Sequence, residues 1–152
     1  QEQAAASQRF IDEMIRPAVH DAARALLRRH VQAGDRVAIV TATNEFVTRP
    51  IATLFGVDQL IATELQRDAA GRVTGEVRGV PAYREGKVTR VQQWLARQGL
   101  ACEDFERITF YSDSTNDLPL LERVSHPVAT NPAPALERIA AERGWPIIRL
   151  FA

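Results

Sequence analysis

Cysteine is all but absent. Cys102 stands alone among 152 residues, which excludes an intrachain disulfide and a metal centre built from thiolates. That usage predicts a reducing compartment, the cytoplasm, rather than secretion. Charge of one sign is missing too. Nineteen basic residues offset nineteen acidic ones, so nothing electrostatic recommends nucleic acid or an anionic membrane as a partner. No apolar run approaches the roughly 18 residues a membrane helix needs. The opening QEQAAASQRF has neither the basic nor the apolar region of a signal peptide. It also lacks an initiator methionine and begins inside a helical pattern, so a truncated chain is expected. GxGxxG, the P-loop and GxSxG are all missing. The three histidines are isolated: His20 and His30 fall on the polar side of a helical segment, and His126 precedes a proline. Cys102 has no histidine or basic cluster beside it that would make it a nucleophile.

What is present is a regular alternation. Phe10, Ile11, Met14 and Ile15, then Val19, Ala22, Ala23, Leu26 and Leu27, fall at helical spacing. Pro17 divides that stretch, since the residue before a proline is pushed out of the α region. RVAIVT (36–41) is a short β-branched run suited to a strand covered on both faces. A helix follows from Asn44 to Phe55, closed by Gly56. Residues 59–80 alternate around Asp68 to Gly71 and read as a strand followed by a small hairpin. Gly86 to Gln98 forms an amphipathic helix, RITFYS a strand, Leu118 to Val124 a helix, and HPVAT a strand. Asn131-Pro132 supplies a cap and first-turn proline for a helix through Arg143, and Pro146 to Phe151 forms a last strand. This order predicts an α/β fold, a Rossmann-like parallel sheet wrapped by helices. In such sheets chemistry sits at the carboxyl ends of the strands.

That rule singles out two places. The first is FYSDSTNDLPLL (110–121), where Asp113 and Asp117 follow an apolar strand. One reading is a capping loop, with acids favoured at a helix start. The other is a magnesium site, since magnesium takes hard oxygen ligands, retains waters and needs only one or two carboxylates beside a phosphate. Asn116 adds a neutral hydrogen-bonding group. The second place is TATN (41–44), where a strand-tip hydroxyl and the N–H groups opening a helix make an anion cradle. Thr43 or Asn44 also suffices as a plain helix cap there, and the two roles are compatible. Lys87, at the start of a helix, is either a solvated surface lysine or the cation a phosphate requires.

Taken in order, these signals resemble the haloacid dehalogenase superfamily of phosphohydrolases. VAIVTATN is similar to its second motif, Lys87 to its third-motif lysine, and YSDSTNDLPLL to its fourth. TATNEFVTRPIA, REGKVTRVQQWL and the ending NPAPALERIAAERGWPIIRLF resemble the phosphoserine-phosphatase-like subgroup. The resemblance covers residues 8 to 151. It implies a magnesium-dependent phosphatase acting on a small phosphorylated metabolite through an aspartyl-phosphate. In that picture Thr41, the Ala42 N–H, Lys87 and Asn116 contact phosphate, and Asp113 and Asp117 serve the metal. Catalysis would rest on Thr41, Lys87, Asp113 and Asp117.

Two departures qualify it. The superfamily's first motif, Asp-x-Asp-x-Thr/Val, carries the nucleophile, and nothing in residues 1–35 resembles it. Asp12 and Asp21 lie in helical patterns. The implied organisation is the tail of a helical cap at 1–33 and an α/β core at 34–152 lacking its first strand, so that the strands at 37–41 and 107–111 have unpaired inner edges. The nucleophile is expected upstream of Gln1. The second departure is that phosphoserine phosphatases carry Ser-Gly-Gly-Phe where this chain has Thr41-Ala42-Thr43-Asn44, which narrows the space near the phosphate. A different expectation is a non-catalytic module that keeps the phosphate cradle without turnover. The sequence assigns no oligomeric state.

Overall fold

A computed structural model describes residues 21–150. The helical pattern around Phe10 to Val19, with Pro17, Asp12 and His20, lies outside them, as does the end of the last expected strand. The chain forms two compact units that meet in sequence between Arg78 and Gly79.

Among the described residues the first unit opens with α1 (Asp21–Gln32). It stops at Gly34, whose φ of 83° is left-handed and lets the Asp35 N–H turn back to the His30 carbonyl at 3.0 Å. The His30 ring then pairs with the Asp35 carboxylate at 2.7 Å, so this histidine closes a turn. β1 (Ala38–Asn44) lies parallel to β2 (Gln59–Arg67), and α2 (Glu45–Leu54) connects them. The first half of β2 pairs with β1. Its second half runs on and pairs antiparallel with β3 (Val73–Arg78), as the alternation around Asp68 predicts. Asp68 Oδ1 holds the hairpin turn by accepting from the Ala70 and Arg72 N–H groups, each at 2.9 Å. Ala52, Val57, Ile61 and Ala62 are buried, so β2 is the covered strand of this sheet.

The second unit holds α3 (Glu85–Ala96), β4 (Thr109–Ser112), α4 (Leu118–Leu121), β5 (His126–Thr130), α5 (Pro134–Arg143) and β6 (Ile147–Ile148). Its strands are parallel in the order β4-β5-β6. Leu121, Ala129, Leu136 and Ala140 are fully buried, with Phe110, Leu118 and Trp145 packed against them. Burying a leucine in this way is worth roughly 2 kcal/mol. Among the described residues β1 pairs only with β2, and β4 only with β5. Both edge strands carry apolar side chains.

The helix expected to start at Asn131-Pro132 starts later. Asn131 takes a left-handed φ of 42°, and its side chain accepts from the Leu150 N–H at 2.8 Å. Pro134 occupies the first turn instead, after Ala133, which makes no side-chain cap. A second proline two residues on offers the same preset φ, and the asparagine serves better where the chain reverses. The helix expected over 118–124 is a single turn at Leu118–Leu121, preceded by a 3₁₀ turn at Thr115–Asp117.

Candidate active site

In the second unit the site is assembled from the start of α3 and the end of β4. The loop before α3 folds back tightly, because a Cβ on Gly86 would come within 2.1 Å of the Pro81 carbonyl oxygen. Only glycine fits that approach. Arg84 takes a strained φ of 51°, and Arg90, buried, donates to the Val80 carbonyl at 3.1 Å. These contacts hold the first turn of α3 in place, and with it Lys87.

Lys87 is not a solvated lysine. Its ammonium lies 2.5 Å from Asp117 Oδ1, and the two side chains are only 9% and 11% exposed. The second oxygen, Asp117 Oδ2, accepts from Ser112 Oγ at 2.5 Å. Asp117 precedes α4, yet its side chain does not cap that helix. A cap is worth about 1 kcal/mol, whereas a buried ammonium left without its counter-ion costs several, so the carboxylate goes to Lys87. Ser114 does cap, accepting from the Asn116 N–H at 3.1 Å. The capping reading therefore holds for Ser114 and fails for Asp117.

Asp113 has a different setting. It is exposed at the carboxyl end of β4, and its main-chain carbonyl accepts from the Ala133 N–H at 3.0 Å. Asn116 is also exposed. Two acids four apart thus divide into one buried and paired, one free to meet a ligand. Among the described residues no group of three or more His, Cys, Asp or Glu is poised for a metal ion. The oxygen donors that are present, the Asp113 carboxylate and the Asn116 amide, suit a hard cation that keeps most of its waters.

In the first unit Thr41 and Ala42 lie at the carboxyl end of β1. The register with β2 slips between Thr41 and Asn44, a bulge that leaves Ala42 and Thr43 exposed with their backbone turned out of the ladder. The Thr43 N–H donates to Thr41 Oγ1 at 3.2 Å. Asn44 accepts from the Phe46 and Val47 N–H groups at 3.0 and 3.2 Å. The helix start is thereby capped, and any anion contact falls to the bulge, where the Ala42 N–H sits. Arg67 stacks over Phe46 at 4.8 Å, a cation that the sequence pattern did not single out. Ser112 was also missed. It reads as one more small polar residue, and only its contact with Asp117 distinguishes it. Burial pushes the Cys102 thiol up, with Glu103 adding to the effect, in keeping with a cysteine that is no nucleophile.

Residues 1–122 match the family described as haloacid dehalogenase-like hydrolase, and the chain belongs to that family. It is 45% identical over 139 residues to a histidinol-phosphatase of Neisseria meningitidis serogroup C (strain 8013), covering 91% of this chain and 63% of that protein. A crystal structure of a protein with unknown function from Bordetella pertussis Tohama I superposes with a TM-score of 0.96 at 53% identity, over 99% of this chain and 67% of that one. A probable phosphoserine phosphatase from Vibrio cholerae shares the fold, with a TM-score of 0.67 at 17% identity over 93% of this chain and 42% of that one. The chain therefore spans less than two thirds of the length of that histidinol-phosphatase.

Proposed function

We propose that this hydrolase-family chain is the larger part of a magnesium-dependent phosphatase for a small phosphomonoester, and that histidinol phosphate is the first substrate to try. The observation that carries the reading is the buried Lys87–Asp117 pair behind the exposed Asp113. A lysine is buried and paired beside a strand end where an oxygen donor stands exposed. That combination serves a ligand that is itself an oxyanion. The substrate suggestion rests on the relative named histidinol-phosphatase and on Thr41-Ala42-Thr43-Asn44, which differs from the phosphoserine-phosphatase pattern.

In this reading the Lys87 ammonium keeps N–H donors for a phosphoryl oxygen while Asp117 fixes its direction. In the first unit, Thr41 Oγ1 and the Ala42 N–H form an oxyanion-binding element of their own. Asp113 would hold magnesium, which when bound supplies positive charge against the oxyanion, and Asn116 would contact phosphate. Asp117, also expected to serve the metal, has its two oxygens engaged by Lys87 and Ser112. The nucleophile, by the resemblance an aspartate, would come from the part of the relatives that this chain does not span. Its carboxylate oxygen bonds to phosphorus as the ester P–O bond breaks. The alkoxide leaves as the alcohol with a proton from the second aspartate of the same motif, which takes one back from the attacking water. Water then adds at phosphorus, the acyl phosphate P–O bond breaks, and orthophosphate is released.

The test is phosphate release by the full-length protein from histidinol phosphate, phosphoserine and p-nitrophenyl phosphate, with and without magnesium. Asp113→Asn is expected to lower turnover by about 10³-fold or more, as loss of a transition-state charge contact does. Near-normal hydrolysis by that variant would sink the metal assignment. Tight phosphate binding with no turnover of any ester would favour the non-catalytic module.

A further inference from the structure

We propose that Ser112 is a positioning residue: through Asp117 its hydroxyl fixes the direction in which the Lys87 ammonium points. The proposal rests on the reading of Lys87 as the cation that meets phosphate. Three polar groups lie in a buried row, Lys87 Nζ, the Asp117 carboxylate and Ser112 Oγ. Lys87 alone holds one carboxylate oxygen, and a carboxylate held at one end can still swing about its last torsion, which is broad. The Ser112 hydroxyl takes the other oxygen and sets the plane.

Ser112 is itself well anchored. It is the last residue of β4, 7% exposed, and stands opposite the fully buried Ala129 of β5. Its single proton has two acceptors within reach, the Ser114 carbonyl at 3.5 Å and Asp117 Oδ2 at 2.5 Å. The shorter, charge-assisted bond wins. The Ser114 N–H donates to Ser112 Oγ at 3.2 Å, which engages a lone pair and leaves the proton to face the carboxylate. Orientation thus passes from the sheet to Ser112, to Asp117, to Lys87. Charge balance does not need the serine, since lysine and aspartate already neutralise each other. What the hydroxyl adds is geometry, and misplacing a reacting group's partner by a fraction of an ångström is costly in rate.

The experiment is a double-mutant cycle in the full-length protein, with Ser112→Ala, Asp117→Asn and the double variant, and with Ser112→Thr as the form that keeps the hydroxyl. Two readouts are taken: kcat and KM for p-nitrophenyl phosphate, and the rate at which Lys87 is acylated by an amine reagent, followed by peptide mass spectrometry. S112A should lower kcat by about 10-fold with KM within about 3-fold, and S112T should restore most of it. Lys87 should label faster in S112A, with no further increase when D117N is already present, because the serine acts through that carboxylate. If S112A does not fold, Ser112→Cys keeps the shape with a far weaker donor. Unchanged kcat in the hydroxyl-free variant, or independent effects of S112A and D117N on Lys87 labelling, would overturn the proposal. Absence of turnover in the unmutated protein defeats the phosphatase reading alone, and the labelling cycle still decides for or against Ser112.

Discussion

Removing either partner of the Lys87–Asp117 pair should destabilise the second unit strongly, and removing both should not. At 2.5 Å and an effective dielectric of about 20, the attraction is about 7 kcal/mol. Stripping water from two ions costs several kcal/mol each, so the pair contributes little net stability. A single substitution deletes the attraction and leaves one buried charge. Lys87→Met should therefore cost about 3–5 kcal/mol, the carboxylate being left with Ser112 alone. Asp117→Asn falls near the lower end, because the amide can still bond to Ser112. At about 2–4 °C per kcal/mol, a loss of 3 kcal/mol lowers Tm by about 6–12 °C. Lys87→Met combined with Asp117→Leu replaces the pair by apolar groups and should recover stability to within about 1 kcal/mol of the original. Urea and thermal unfolding of the full-length protein, read from tryptophan fluorescence, measures this, since Trp94 and Trp145 both lie in the second unit. Because the pair is buried, added salt should change the result little. Single variants within about 1 kcal/mol of the parent, or a double variant no better than the worse single one, would show that the two charges are not held out of water.

Gly86→Ala should destabilise the protein by about 1–3 kcal/mol through overpacking against the Pro81 carbonyl, and should lower phosphatase activity because Lys87 follows in the same turn. Denaturant midpoints and kcat check it, and an alanine variant with parental values would contradict the contact. Cys102 should react with iodoacetamide near pH 8 more slowly than a free thiol, and urea should restore the ordinary rate. Its folded pKa lies above the unfolded one, so this group's contribution to stability is complete below about pH 9, the ordinary thiol value, and is lost as pH rises further. A Cys102→Ser variant that loses stability over the same alkaline range as the parent would assign the loss to other groups.

Local chemistry reaches the reader of the sequence directly. The β-branched run before Thr41, the amphipathic spacing of Val88, Val91 and Leu95, and the alternation around Asp68 each specify an element through neighbours a few residues away. Their order specified an α/β fold with parallel pairing, and strand ends specified where chemistry would sit. Where two local solutions competed, the pattern could not choose. Asn131-Pro132 and Ala133-Pro134 both resemble a helix start, and the later one is used because Asn131 is needed to turn the chain toward β6.

The division of labour between Asp113 and Asp117 was decided only in three dimensions. Along the chain they are equivalent acids beside a helix start, and Lys87 is one of nineteen basic residues. Folding buries one acid with that lysine, leaves the other exposed, and turns Ser112 from a small polar residue into the second partner of a carboxylate. The physical reason is desolvation, whose cost depends on what surrounds a group after collapse and not on its neighbours in sequence. Sequence by itself determined which residue types stand at the strand ends. The tertiary structure determined which of them carry a buried charge, which remain open to a ligand, and which merely hold the others in place.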